Sequence, residues 1–171
     1  MKAVLRLPPG LFEELVAHLL PDGSRCEEAA FLCVSSVRSD ECTFFDVQHV
    51  EKLGRDDFDH QAGNFLELAD HTRARLIKQA HDLSASLIEM HSHPGPWPAG
   101  FSVADRIGLS ETVPHMWWRL KGRPYVALVV APSGFDALVW LNNPKIPIAL
   151  DAIVAGDRLL KPTNNSLEGW R

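Results

Sequence analysis

Residues 86–110 constrain this chain more than any other stretch: Ser-Leu-Ile-Glu-Met-His-Ser-His-Pro-Gly-Pro-Trp-Pro-Ala-Gly-Phe-Ser-Val-Ala-Asp-Arg-Ile-Gly-Leu-Ser. An apolar run ends in His91 and His93, a Pro/Gly-rich loop follows, and Ser102 and Asp105 then open a helical pattern. Positions i and i+2 of a strand share a face, so both imidazoles can reach one ion. Two imidazoles and a carboxylate are the ligand set of an open zinc site, in which water takes the fourth position. A fold built on this stretch must end a buried strand beside the start of a helix.

Each feature also has a plain structural reading. A His-x-His pair by itself more often marks surface or core histidines than a metal. Ser-x-x-Asp before an apolar run is close to a capping box, in which the serine closes the helix start and the acid reaches back. The two uses are compatible, because an acid in the first turn can turn outward to a cation. A hydrolytic zinc further needs a carboxylate to take a proton from water. Glu27-Glu28, at the mouth of the apolar run Ala29-Ala30-Phe31-Leu32, offers one; the alternative for such a pair is a solvated strand start.

The rest of the chain supplies a layered domain. Residues 11–20 have helical spacing, and Pro21-Asp22-Gly23 ends them. Residues 28–37 and 42–50 read as strands, 51–63 as a polar acidic loop containing Asp56, Asp57 and Asp59, and 64–68 as a short strand. Asp70 suits the N-cap of a helix over 71–82. Residues 84–90 read as the central strand that delivers the histidines. Pro114 is expected to end or kink the helix begun at Ser102. Residues 125–131 are nearly all apolar, as in a strand covered on both faces, and 135–141 read as its hairpin partner. Residues 148–160 form a final strand in this reading, and the last ten or so are polar and loose. The expectation is one α/β (α+β) domain over residues 1–160 with a polar C-terminal tail over 161–171.

Composition narrows the partners. The chain of 171 residues has 17 Lys+Arg against 22 Asp+Glu, a net charge of −5, and no basic run, which argues against nucleic acid. No uninterrupted apolar span reaches bilayer length, so no membrane partner is expected. Cys26, Cys33 and Cys42 are too few and odd in number for a disulfide framework, which suggests a reducing cytoplasm. Cys33 reads as core, as do Trp117, Trp118 and Trp140, whereas Trp97 in the loop is expected to be exposed.

Glu…His-Ser-His-Pro…Ser-x-x-Asp resembles the JAMM signature of the MPN/JAB-domain zinc metalloproteases, in their prokaryotic single-domain form. Residues 28–32 resemble the family's glutamate strand, and residues 122–141 resemble the two strands after the motif. Eight residues, 94–101, separate His93 from Ser102, one more than the family's usual seven, and the Pro/Gly-rich loop absorbs the extra one. The resemblance implies a mixed central sheet flanked by helices with cytidine-deaminase-like layering. It implies one zinc ion per chain on His91, His93 and Asp105, with Glu28, which directly precedes Ala-Ala-Phe-Leu, as general base and Ser102 as oxyanion donor. It implies cleavage after the C-terminal tail of a ubiquitin-like protein, in concert with an activating or conjugating enzyme of the same pathway. The alternative is a catalytically silent MPN-type scaffold that binds protein partners. A zinc deaminase needs Pro-Cys-x-x-Cys after its histidine, and no Cys-x-x-Cys occurs here.

Overall fold

A computed structural model describes residues 1–170. Eleven strands and three α-helices alternate as β1 (Lys2–Leu7), α1 (Leu11–Leu19), β2 (Ala29–Arg38), β3 (Cys42–Lys52), β4 (Phe58–Gln61), β5 (Leu66–Leu68), α2 (Asp70–Asp82), β6 (Ser86–Ser92), α3 (Val103–Arg119), β7 (Tyr125–Ala131), β8 (Gly134–Trp140), β9 (Ile148–Ala149), β10 (Ala152–Ala155) and β11 (Arg158–Leu160). Nine strands form one mixed sheet in the order β11-β10-β1-β3-β2-β6-β7-β8-β9, and β4 and β5 form a separate hairpin. This is a mixed α+β architecture, as the sequence suggested.

The sheet has helices on both faces. On one face, Ala30, Leu32 and Val34 of β2 and Ile88 and Met90 of β6 pack with Leu15 and Leu19 of α1. On the other, Ala29, Phe31, Cys33 and Leu87 pack with Leu76, Ile77 and Ala80 of α2 and Leu109, Val113 and Met116 of α3. Both faces of β2 and of β7 are therefore apolar, as central strands covered by helices require. No helix among the described residues is long and apolar enough to cross a membrane.

Several local expectations change. The N-terminal apolar stretch is β1, which runs parallel to both β3 and β10. Residues 148–160 hold three short strands, because Leu150 and Asp151 interrupt the first two and Gly156, at φ +61°, turns the chain between the last two. The acidic segment 51–63 is ordered into the end of β3 and into β4. Its Asp57 accepts from Gly54 N, Thr72 Oγ1 and Arg75 Nη2 instead of standing in solvent. Helix α2 starts at Asp70 with Ala69 as N-cap, so Asp70 caps nothing and instead bonds Arg73. Pro114 does not end α3: Val113 and Met116 are buried on either side of it, and that packing carries the helix on to Arg119. Trp140 is core and Trp97 is 75% exposed, but Trp118 is 73% exposed on the outer side of α3.

Residues 163–166 of the C-terminal tail are not loose. Buried Asp136 of β8 accepts from the backbone N–H groups of Asn164 (3.1 Å) and Ser166 (2.8 Å). Ser166 Oγ accepts from Phe101 N at 2.8 Å, while Thr163 Oγ1 and Asn165 Nδ2 donate to Ala99 O at 2.7 and 3.0 Å. Polar side chains there bind the loop between His93 and Ser102, which polarity alone had suggested would face water.

Candidate metal centre

Strand β6 lies between β2, antiparallel, and β7, parallel. Its register sets the site. His91 pairs with Ala29 on β2 and with Val129 on β7. His93, one residue past the strand end, still donates its backbone N–H to Val130 O at 2.8 Å, so the chain stays extended and both rings fall on the α2–α3 face. The His91 ring also packs against Phe101, with centroids 5.7 Å apart.

Helix α3 brings the carboxylate. Ser102 is its N-cap: Ser102 Oγ accepts from Asp105 N at 3.1 Å, and Asp105 Oδ2 accepts from Ser102 N at 2.7 Å. The reciprocal capping box therefore forms, and it fixes the Asp105 carboxylate while that carboxylate also faces the histidines. Ser102 is exposed, and its hydroxyl lies close enough to Asp105 to help hold that carboxylate charged.

Three donor groups converge. His91 Nε2 and His93 Nε2 lie 3.2 Å apart. Asp105 Oδ2 is 3.2 Å from His93 Nε2, and Asp105 Oδ1 is 3.6 Å from His91 Nε2. Tetrahedral zinc, with bonds of about 2.0–2.1 Å, separates its ligand atoms by roughly 3.3 Å. The His91–His93 and His93–Asp105 Oδ2 distances match that spacing, the other Asp105 oxygen faces His91, and one ligand atom from each residue lies within 4.8 Å of the others, so His91, His93 and Asp105 are compatible with a zinc ion and lie close enough to hold one.

The electrostatics agree with a cation site. Burial works against the charged form of Asp105, but hydrogen bonds from His91 and His93 and the capping contact of Ser102 outweigh it and hold the carboxyl well below the usual carboxylate range. Burial lowers the His91 pKa and Asp105 raises it, with a net rise.

The fourth group is Glu27, not Glu28. Glu27 is 5% exposed, and its Oε1 lies 3.6 Å from His93 Nε2. Glu28 turns away: its Oε2 accepts from Gln61 Nε2 at 2.9 Å. The cause is register. Because Ala29 faces His91, alternation along the two strands sets Glu27 opposite His93 and Glu28 opposite Ser92, on the other face. The Glu28 N–H accordingly donates to Ser92 Oγ at 2.9 Å. Glu27 is anchored through its own backbone, its N–H donating to Ala62 O and its carbonyl accepting from Gln61 Nε2. Burial pushes the Glu27 carboxyl above its ordinary pKa, against the pull of the two histidines. Both faces of residues 29–34 are apolar, so the sequence carried no alternation that could separate the two glutamates.

A second acid escaped the sequence reading. Glu89 precedes His91 by two residues and so shares its face of β6. It accepts a hydrogen bond from the buried Tyr125 hydroxyl. Burial pushes both groups' pKa values up. A carboxyl inside the apolar run 85–90 was the available signal. Cys26 is exposed and is not among the residues lining the cavity beside the site.

No protein-family model matches the sequence, and no curated protein matches it either.

Proposed function

We propose that this chain is a zinc-dependent peptidase or isopeptidase of the JAMM type, acting after the C-terminal tail of a ubiquitin-like protein. The observation that carries the reading is the triangle of His91, His93 and Asp105 with the buried Glu27 carboxylate 3.6 Å from one of its corners. Three protein ligands leave a coordination position for water, as in catalytic rather than structural zinc sites. When bound there, zinc supplies Lewis-acid polarisation and brings the pKa of its water to about 7.

The chain's own groups do the rest. His91, His93 and Asp105 would hold the ion. Glu27 takes the proton of the attacking water and returns it to the leaving amine. Ser102, exposed at the start of α3, donates to the oxyanion of the tetrahedral intermediate, a contact worth roughly 3 kcal/mol of barrier. The order Glu…His-x-His…Ser-x-x-Asp supports the substrate class through the resemblance it carries. The ubiquitin-like substrate and a partner enzyme of its conjugation pathway are part of the proposal.

The test uses zinc-loaded protein and a reporter fused to the C-terminal tail of a ubiquitin-like protein. Wild type is expected to release the reporter, and Glu27→Gln to lose at least about a hundredfold in kcat, the lower range for a positioned acid–base group. Glu28→Gln is expected to stay within a few-fold of wild type. Zinc binding with no Glu27-dependent cleavage of any such fusion would replace this reading with the silent scaffold.

A further inference from the structure

The metal triangle opens on one side into a cavity of about 370 Å³. The β2–β6–β7 face, α3 and the β4–β5 hairpin enclose it. Phe31, Leu109 and Met116 are among its apolar walls. Its charged lining is nearly all acidic: Glu27, Glu89 and Asp105 within, and Glu67 and Glu111 on the exposed rim. Arg73 is the single Lys or Arg on the lining; it bonds exposed Asp70, and its charge also reaches Tyr125 at the cavity wall.

Glu89 is the residue that the hydrolytic reading leaves without a task. It sits mid-strand between Phe31 on β2 and Ala127 on β7, where an apolar side chain is the rule. Glu89 is half-buried, and a carboxyl partly withdrawn from water is favoured by a partner. Tyr125 satisfies one oxygen, Oε2. The other makes no hydrogen bond among the described residues, and the residue lines the cavity. Glu89 and His91 are two residues apart on β6, a backbone spacing of about 7 Å. That is the distance from a reacting bond to the end of a long neighbouring side chain.

We propose that the cavity is a specificity pocket for an alkyl chain ending in a cation, the side chain of a lysine or arginine that flanks the scissile bond, with Glu89 as its charge partner. The proposal rests on the peptidase reading. Long basic side chains have an apolar stem and a charged tip. Phe31, Leu109 and Met116 receive the stem, and the free oxygen of Glu89 receives the tip. Because the site is walled by apolar groups, that single pair gains more than it would in water. Glu67 and Glu111 at the mouth favour entry of the cation.

The probes are n-butylguanidinium and its neutral isostere n-butylurea, titrated calorimetrically into the full chain with zinc bound; a guanidinium stays protonated and does not compete for the metal. Wild type is expected to bind the cation at least tenfold more tightly than the urea, and Glu89→Gln to bind the two alike. Gly108→Leu, which adds a side chain into open space on the α3 wall of the cavity, is expected to lose binding, and it keeps the test decisive if Glu89→Gln does not fold. Equal binding of both probes, no binding of either, or a preference that survives Glu89→Gln overturns the pocket. The readout needs no turnover, so guanidinium binding without peptide cleavage removes the peptidase reading and leaves the pocket. Cleavage that depends on Glu27 but is indifferent to Lys, Arg or Leu beside the bond removes the pocket and leaves the peptidase.

Discussion

At the scale of single residues, adjacent side chains of identical chemistry have opposite environments here. Glu27 and Glu28 differ by one strand position, and that sends one to the metal triangle and the other to Gln61. Cys33 shows the same control by the fold. Burial pushes its thiol up to about 11, and the nearby Glu51 charge adds to the effect. Iodoacetamide at pH 8 is therefore expected to label exposed Cys26 ahead of Cys33, which reacts only in denaturant; mass spectrometry of the labelled peptides reads this, and labelling of native Cys33 would contradict it. Asp57 gives a pH dependence. Burial raises its pKa, but hydrogen bonds from Arg75, Gly54 N and Thr72 outweigh burial, so the folded value lies below the unfolded one. Its contribution is complete above the unfolded pKa, about 3.9, and is lost as pH falls through the folded value. Asp57→Asn should lower the melting temperature at pH 7, and the gap to wild type should close below about pH 4. A gap unchanged at pH 3 would show that the carboxylate is not the source.

At the scale of elements, the candidate metal site is bordered by a loop that a segment distant in sequence holds in place. The loop between His93 and Ser102 is held by the C-terminal strap through Ser166, Thr163 and Asn165, and Asp136 holds the strap. Removing Ser166 Oγ leaves the Phe101 N–H buried without its partner, a cost of about 1–3 kcal/mol. Ser166→Ala is therefore expected to lower both unfolding free energy and zinc affinity. Asp136→Ala, which strips the acceptor from Asn164 and Ser166 N–H groups, should cost more, about 3 kcal/mol. Denaturant titration and zinc competition measure the two quantities. Zinc affinity unchanged in both variants would show that the strap does not position Asp105. None of this was legible from polarity, because Thr163, Asn164, Asn165 and Ser166 look like solvated residues until their long-range partners are known.

At the scale of the whole molecule, the sequence showed most where the signal was local. Central strands β2, β6, β7 and β8 were readable from apolar runs, and α1 and α2 from their spacing. The pairing of His91 and His93 with Asp105 was readable because a strand end and a helix N-cap are short-range patterns, and the structure brings the three close enough to hold an ion. Long-range register was hidden, so Glu27, Glu89, the parallel strand β1 between β10 and β3, and the strap all had to come from the fold. The claim that joins these scales is that His91, His93 and Asp105 hold one zinc ion. It is tested most directly by the zinc content of the reconstituted, dialysed chain, measured by plasma mass spectrometry. One zinc per chain is expected in wild type and in Glu27→Gln, and less than about a tenth of that in His93→Ala and Asp105→Ala variants with unchanged circular dichroism. No zinc in wild type, or full zinc in both ligand variants, would contradict it.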